Sequence, residues 1–229
     1  MTLAEPHHRR VRSFVRREGR ITHAQKDALD RLWPKFGVEP QSSPIDLAQA
    51  FGRNAPVVVE IGFGNGDHLI ARAQAEPEKN FLGIEVHRPG VGRVLHRIEQ
   101  AALTNVRVVC HDAVEFLRDG IAPQSLAEVL VYFPDPWPKK RHHKRRLIQP
   151  EFVALIADRL VLGGRFGLAT DWAHYGEQML AVLAAEPKLR NRVEGGGFAT
   201  RPPTRAITRF EARGERLGHQ VFDLEFQRI

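Results

Sequence analysis

The sequence predicts an α/β protein: a Rossmann-like, mostly parallel sheet, made mixed by an antiparallel hairpin at its C-terminal end. Three observations carry this. From Pro56 onward short apolar runs alternate with helical stretches, which implies right-handed βαβ units. The first run, "VVVEIG" (57–62), has no polar–apolar alternation, as expected of a strand buried on both faces. The last stretch, "AITRFEARGERLGHQVFDLEF", reads as two extended runs around a Gly-containing turn, with Phe222, Leu224 and Phe226 alternating.

The elements follow in order. Residues 1–20 are basic and poor in core formers, and read as a flexible arm that either orders on a polyanion or is an ordinary loose terminus. Residues 21–53 carry weak helical patterns broken by Pro34, Pro40 and Pro44, an N-terminal helical extension. Residues 54–229 read as one domain. After the strand at 57–62, "GDHLIARAQAEP" is a short helix stopped by Pro77. "NFLGIEV" (80–86) is a second strand. Residues 91–105 place Val91, Val94, Leu95 and Ile98 at helical spacing. "VRVVCHD" (106–112) is a third strand, 113–120 a helix, and "LAEVLVYF" (126–133) a fourth strand. Residues 150–164 read as a helix with Pro near its start and Gly at its end. "RFGLAT" (165–170) is a fifth strand, followed by a helix over 172–186.

Composition narrows the partners. The 229 residues carry a net charge of +7 and a pI near 10.1, which favours polyanions. The charge is concentrated: 139–146 hold six Lys or Arg and no acid, and the first twenty residues hold six Arg against two Glu. A single cysteine, Cys110, excludes an internal disulfide and a multi-Cys zinc site, and fits a reducing cytoplasm. No apolar run approaches the roughly 18 residues of a membrane span, and no apolar segment follows the basic N-terminus as in a secretory signal.

Ligands of such sheets sit at the carboxyl ends of the strands. Glu60, Glu85, Asp112, Asp135 and Asp171 all close or follow a strand. "EIGFGNGDH" puts Gly62, Gly64 and Gly66 between strand and helix, where backbone can approach a ligand closely. The dinucleotide fingerprint wants glycine at 67, where Asp67 stands, and no P-loop signature is present. The G-x-G-x-G loop resembles the first motif of class I S-adenosylmethionine-dependent methyltransferases. That ligand has no phosphate but carries an ammonium and a sulfonium, and so suits acids. Glu60 is placed for its cationic end, Glu85 for the ribose hydroxyls and Asp112 for the adenine amino group.

"VYFPDPWPKKRHHKRR" (131–146) joins an acid held between two prolines to eight consecutive Lys, Arg or His residues. Such a run gives affinity for phosphates without sequence readout. Trp137 is a base-stacking side chain or a core aromatic, and Trp172 has the same two readings. His142 and His143, adjacent on one loop, do not make a metal site alone, and no metal is expected. A small-molecule methyltransferase, an NAD-dependent dehydrogenase and a non-catalytic RNA-binding module are the competing classes. Each leaves the basic run, Asp67 or the strand-end acids unexplained.

"VEIGFGNGDHL", "GIEVHRPGVG", "YFPDPWPKKRHHKRRL", "TDWAHYGEQM" and "TRFEARGERLGH", in that order, resemble the tRNA (guanine-N7-)-methyltransferase family over about residues 57–229. The resemblance implies transfer of a methyl group from S-adenosylmethionine to N7 of guanine 46 in the tRNA variable loop. It implies methyl-donor contacts at Glu60, Glu85, Asp112 and Asp135, with Gly62 and Gly64 in the loop, and catalysis at Asp135. Substrate contacts fall on Lys139, Asp171 and the run Thr208, Arg209, Phe210 and Glu211, and RNA contacts on Arg141, His142, His143, Lys144, Arg145 and Arg146. Arg209 stands where the family usually has Lys, which keeps the charge but changes its geometry. The implied partner is tRNA. No membrane association or protein partner is indicated, and the chain is expected as a monomer or homodimer.

Overall fold

The computed structural model describes residues 13–14, 20–205, 211 and 220–229. Most of the arm expected over 1–20, and all of Thr208, Arg209 and Phe210, therefore lie outside the described residues.

Seven strands form one sheet in the order β3-β2-β1-β4-β5-β7-β6. They are β1 (Val57–Ile61), β2 (Asn80–Ile84), β3 (Val106–Val109), β4 (Leu126–Tyr132), β5 (Leu160–Thr170), β6 (Leu189–Asn191) and β7 (Phe222–Arg228). The first five are parallel; β7 runs antiparallel to β5 and β6 antiparallel to β7. Helices α1 (His23–Phe36), α3 (Asp67–Ala75) and α4 (Arg88–Gln100) bury Leu29, Leu69 and Leu95 in one core cluster, which includes Val58 of β1. Helices α2 (Leu47–Phe51), α5 (Ala113–Gly120), α6 (Pro150–Arg159) and α7 (Ala173–Ala185) bury Phe51, Phe116, Ile156 and Met179 in a second cluster, with Val57, Val59 and Ile61. Successive β1 residues thus serve opposite cores, and all five are buried. This is why the strand reads as continuously apolar except at Glu60.

The N-terminal helices are part of this packing. Thr22 and Gln25 form a reciprocal cap that starts α1. Its Ala28, Leu29, Leu32 and Phe36 are buried, and Gly92 of α4 lets the two helices meet: a Cβ there would lie 2.5 Å from Gln25 O. Val38 N donates to Val108 O, and Ile45 N to Gly120 O, tying the connecting segment to the domain.

Several boundaries differ from the sequence reading, the end of α4 among them, at Gln100 instead of 105. Helix α6 ends at Arg159, whose guanidinium donates to Leu117 O and Arg118 O. Residues 160–164 are strand instead of helix, because Leu160 pairs with Leu126 across an irregularity and Gly163 takes a φ of +78. Helix α4 starts at Arg88, three residues early, with Pro89 in its first turn, where the missing N–H costs nothing. The C-terminal antiparallel pair is made by β6 and β7, and β6 is too short to announce itself by alternation. The first arm of the expected hairpin falls at 206–210, outside the described residues, and Glu211 is helical.

The glycine loop is held by its own backbone. Gly62, Gly64 and Gly66 all have positive φ. Gly66 caps α3 at φ +73, and a Cβ there would run into the Val94 side chain of α4. Gly66→Ala is therefore expected to combine left-handed strain with overpacking, at about 2–4 kcal/mol. The check is the denaturant midpoint at unchanged m-value, and a wild-type midpoint would contradict this account of the loop.

Candidate active site

The sheet reverses direction between β1 and β4. Chain order runs outward through β1, β2 and β3 on one side, then continues beside β1 with β4 and β5. Loops leaving neighbouring strands at that point part company and open a crevice at the carboxyl ends. A cavity of about 800 Å³ lies there, lined by Gly62 after β1, Glu85 after β2, Asp112 after β3, Tyr132 at the end of β4 and Phe133–Asp135 after it. Ile61, Ile84, Val86, Pro89, Ala113 and Leu147 supply apolar wall. The size and the few convergent carboxylates suit a small organic ligand.

Two of the cavity acids, Glu85 and Asp112, are held by main-chain donors. Glu85 Oε2 accepts from Gly64 N at 3.0 Å, and its Oε1 from Val86 N at 2.7 Å and His87 N at 3.0 Å. One carboxylate thus ties the glycine loop to the end of β2. The approach of α4 behind it needs Gly90, whose Cβ would lie 2.7 Å from Gly64 O. Asp112 Oδ1 caps α5 by accepting from Val114 N at 2.8 Å and Glu115 N at 3.3 Å. Asp112 is thus a helix cap and a cavity residue at once.

Asp135 is exposed, on a turn with unusual backbone. Phe133 and Trp137, on either side of Pro134–Asp135–Pro136, take φ of 51 and 45. Each left-handed non-glycine residue costs on the order of 1–3 kcal/mol and persists only when surroundings over-determine it. Here they do. Phe133 N donates to Ala169 O at 2.8 Å, Arg146 Nε donates to Pro136 O at 2.9 Å, and Trp137 Nε1 donates to Ser13 O at 3.0 Å.

The basic run forms a short 3-10 helix, Lys140–Arg145, directly after this turn. Lys139, Lys140, Arg141 and Lys144 are exposed. Arg145 lies over the Trp137 ring at 4.9 Å, His142 meets the same ring edge-on at 5.8 Å, and His143 packs on His174 at 5.0 Å. Desolvation, then the charges of Arg141, Arg145, Lys139 and Lys144, hold the His142 imidazole below its usual range.

The structure brings Gly62, Glu85, Asp112 and Asp135 together around the cavity and places four other expected residues elsewhere. Glu60 is buried on the α3 side of β1, where His68 Nδ1 meets its Oε2 at 2.8 Å, because strand alternation turns it away from Ile61. Gly64 is exposed and does not line the cavity; its N–H donates to Glu85. Arg146 is only 2% exposed, lies over the Tyr175 ring, and bonds Pro136 O, His174 and Gln178. It is an internal strut here and does not present itself to RNA. Glu211 is equally buried, 2.7 Å from Arg205, which also grips Asp223 through two bonds at 2.7 and 2.9 Å. Asp171 follows the end of β5 and is half-buried. Arg205 and Ser13 were missed from sequence: neither carries a local signal, since each acts through partners far along the chain.

This fold and switch-point cavity define a Rossmann-like methyltransferase. A family model described as a putative methyltransferase matches residues 54–224. The chain is 58% identical over 218 residues to the tRNA (guanine-N(7)-)-methyltransferase of Bordetella pertussis, covering 95% of this chain and 85% of that one. It is 54% identical to the enzyme of the same name from Shewanella woodyi, covering 96% and 93%. Among solved structures, the 16S rRNA methyltransferase KamB is similar at a TM-score of 0.56 and 16% identity, covering 82% of this chain and 94% of that one. The aminoglycoside resistance methyltransferase NpmB1 is similar at 0.53 and 18%, covering 80% and 92%. The chain belongs to the tRNA (guanine-N(7)-)-methyltransferase family.

The double duty of Asp112 can be separated. Asp112→Ser keeps a capping oxygen and is expected within about 0.5 kcal/mol of wild-type stability, whereas Asp112→Ala loses the cap and about 1 kcal/mol. Both are expected to weaken binding of S-adenosylmethionine, read by calorimetric titration. Wild-type affinity in the Ser variant would mean that the carboxylate serves the helix alone.

Proposed function

We propose that this protein transfers the methyl group of S-adenosylmethionine to N7 of a guanine in tRNA, at position 46 of the variable loop, in the cytoplasm. The observation that carries the reading is one turn. It fixes Asp135 at the cavity mouth and runs without a break into the exposed cations Lys139, Lys140, Arg141 and Lys144.

The cavity fits the donor by its chemistry. A dinucleotide would place phosphates at the N-terminus of α3, but Asp67 already sits in that first turn, paired with Arg97 at 2.7 Å. Lone pairs of the Glu85 carboxylate not used by backbone are available to ribose hydroxyls, and Asp112 to the adenine amino group. Gly62 brings main chain close to the donor, while Gly64 supports the Glu85 carboxylate and Glu60 is buried against His68. No helix among the described residues is long and apolar enough to cross a membrane.

S-adenosylmethionine, when bound, supplies an electrophilic methyl on a cationic sulfur. Guanine N7 is a Hoogsteen-edge acceptor that carries no proton. A new N7–C bond forms as the S–C bond breaks, leaving S-adenosylhomocysteine and a positively charged purine, with no base required. Holding the two reactants in line is then the main task, and good alignment is worth on the order of 7–11 kcal/mol. Asp135 does two things in this reading. It accepts hydrogen bonds from the guanine N1–H and amino group, and its negative charge favours the cation being formed. Asp171 and the run Thr208, Arg209, Phe210 and Glu211 belong to the substrate side, Glu211 through its buried tie to Arg205.

The exposed cations act on phosphates. Lys139→Ala, Arg141→Ala and Lys144→Ala are each expected to flatten the dependence of tRNA affinity on log salt by about one. Arg146→Ala is expected to lower stability and leave that slope unchanged; a flattened slope there would place Arg146 on the RNA. The function itself is tested by incubating the protein with labelled donor and tRNA, DNA or small amines. Label recovered as N7-methylguanosine from tRNA alone is expected, and label on small amines would support a small-molecule methyltransferase instead.

A further inference from the structure

We propose that Trp172 is the platform on which the base entering the site stacks, an assignment that rests on the tRNA-methylating reading above. The chain has three tryptophans, and two are engaged. Trp33 Nε1 donates to Glu39. Trp137 is half-buried, with its ring under the Arg145 guanidinium, its edge against His142 and its indole N–H on Ser13 O. That occupancy leaves Trp137 poorly suited to receive a base, and of its two sequence readings the packed one fits better. Trp172 is 41% exposed, and among the described residues its ring has no aromatic, cationic or hydrogen-bonding partner.

Its backbone, by contrast, is fixed. Trp172 caps α7, directly after Asp171 at the carboxyl end of β5. Its N–H donates to Thr170 Oγ1 at 3.2 Å, and its carbonyl accepts from Tyr175 N and Gly176 N, both at 2.9 Å. The same helical turn is locked to the turn that holds Asp135. The Arg146 guanidinium spans Pro136 O and, at 3.1 Å, His174 Nδ1. Burial lifts the Tyr175 hydroxyl to a pKa of about 12, and the Asp135 charge adds to that rise. Trp172 is therefore a free ring on a rigid mount, one short strut from the turn that carries the Asp135 carboxylate. Of the other large exposed hydrophobics, Leu162 and Ile229 lie away from the carboxyl ends of the parallel strands, and Ile21, which lines the cavity, is aliphatic and has no ring on which a base could stack. Bases splayed out of single-stranded RNA are held by stacking of this kind.

The test uses the full chain, unmodified tRNA and S-adenosylmethionine. Trp172→Ala is expected to lower kcat/KM for tRNA on the order of 10- to 100-fold, as loss of an aromatic platform does. Trp172→Phe is expected to restore most of it. The melting temperature, the donor Kd and the salt slope of tRNA binding are expected to stay at wild-type values in both, which a packing role would not allow. Normal turnover by Trp172→Ala, or an activity loss matched by losses in donor affinity or melting temperature, would overturn the assignment. A wild-type protein that forms no N7-methylguanosine in tRNA would overturn the tRNA reading and the platform together.

Discussion

The reversal of strand order between β1 and β4 is the constraint on which the rest of the site depends. A buried parallel sheet must be covered on both faces, so its helices divide between two cores, α1, α3 and α4 on one and α2, α5, α6 and α7 on the other. Where the division occurs, the loops after β1 and β4 diverge and leave the cavity that Glu85, Asp112 and Asp135 enter from three different strands. None of these acids is near another in sequence. The sheet alone brings them within reach of one ligand.

Around that opening the chain places strain and charge where packing restrains them. The left-handed residues Phe133 and Trp137 hold Asp135 at the cavity mouth, and three hydrogen bonds from distant segments keep the turn from relaxing. Arg146 shows the economy of the basic run: its last residue folds inward to brace the turn, while Lys139, Lys140, Arg141 and Lys144 stay outside. Arg205 does a similar service for the C-terminal segment. It is buried between Asp223 and Glu211, with the Tyr132 and Phe133 rings 5.7 and 5.6 Å away. A buried cation with two buried carboxylates is sensitive to loss of any one member, because the remainder is left uncompensated.

What was legible in the sequence was what repeats with a period or occupies a turn. The five parallel strands, the helices between them and the glycine loop follow from apolar runs and from positions that need positive φ. Three of the five strand-end acids, Glu85, Asp112 and Asp135, were legible as cavity residues because a topology rule says where such crevices open. What was not legible is what depends on direction or on long-range partners. Glu60 was given to the ligand, yet alternation turns it to His68. Arg146 was given to RNA, since nothing in "KKRHHKRR" says which cation folds inward. The start of β5 was read as helix because "LVLGG" is apolar in either state. Trp137 and Trp172 had the same two readings until the structure put Arg145 over the first and left the second bare.

In the proposed mechanism Asp135 orients the guanine and balances its charge without removing a proton. The most direct measurement is the single-turnover rate of methyl transfer to tRNA in H₂O and in D₂O, at saturating donor, for the wild type and Asp135→Asn. With no proton in flight at the transition state, the wild-type rate is predicted to be the same in both solvents, and Asp135→Asn to be slower by the same factor in each. A wild-type rate that falls in D₂O, with the difference vanishing in Asp135→Asn, would contradict the account and make Asp135 a general base.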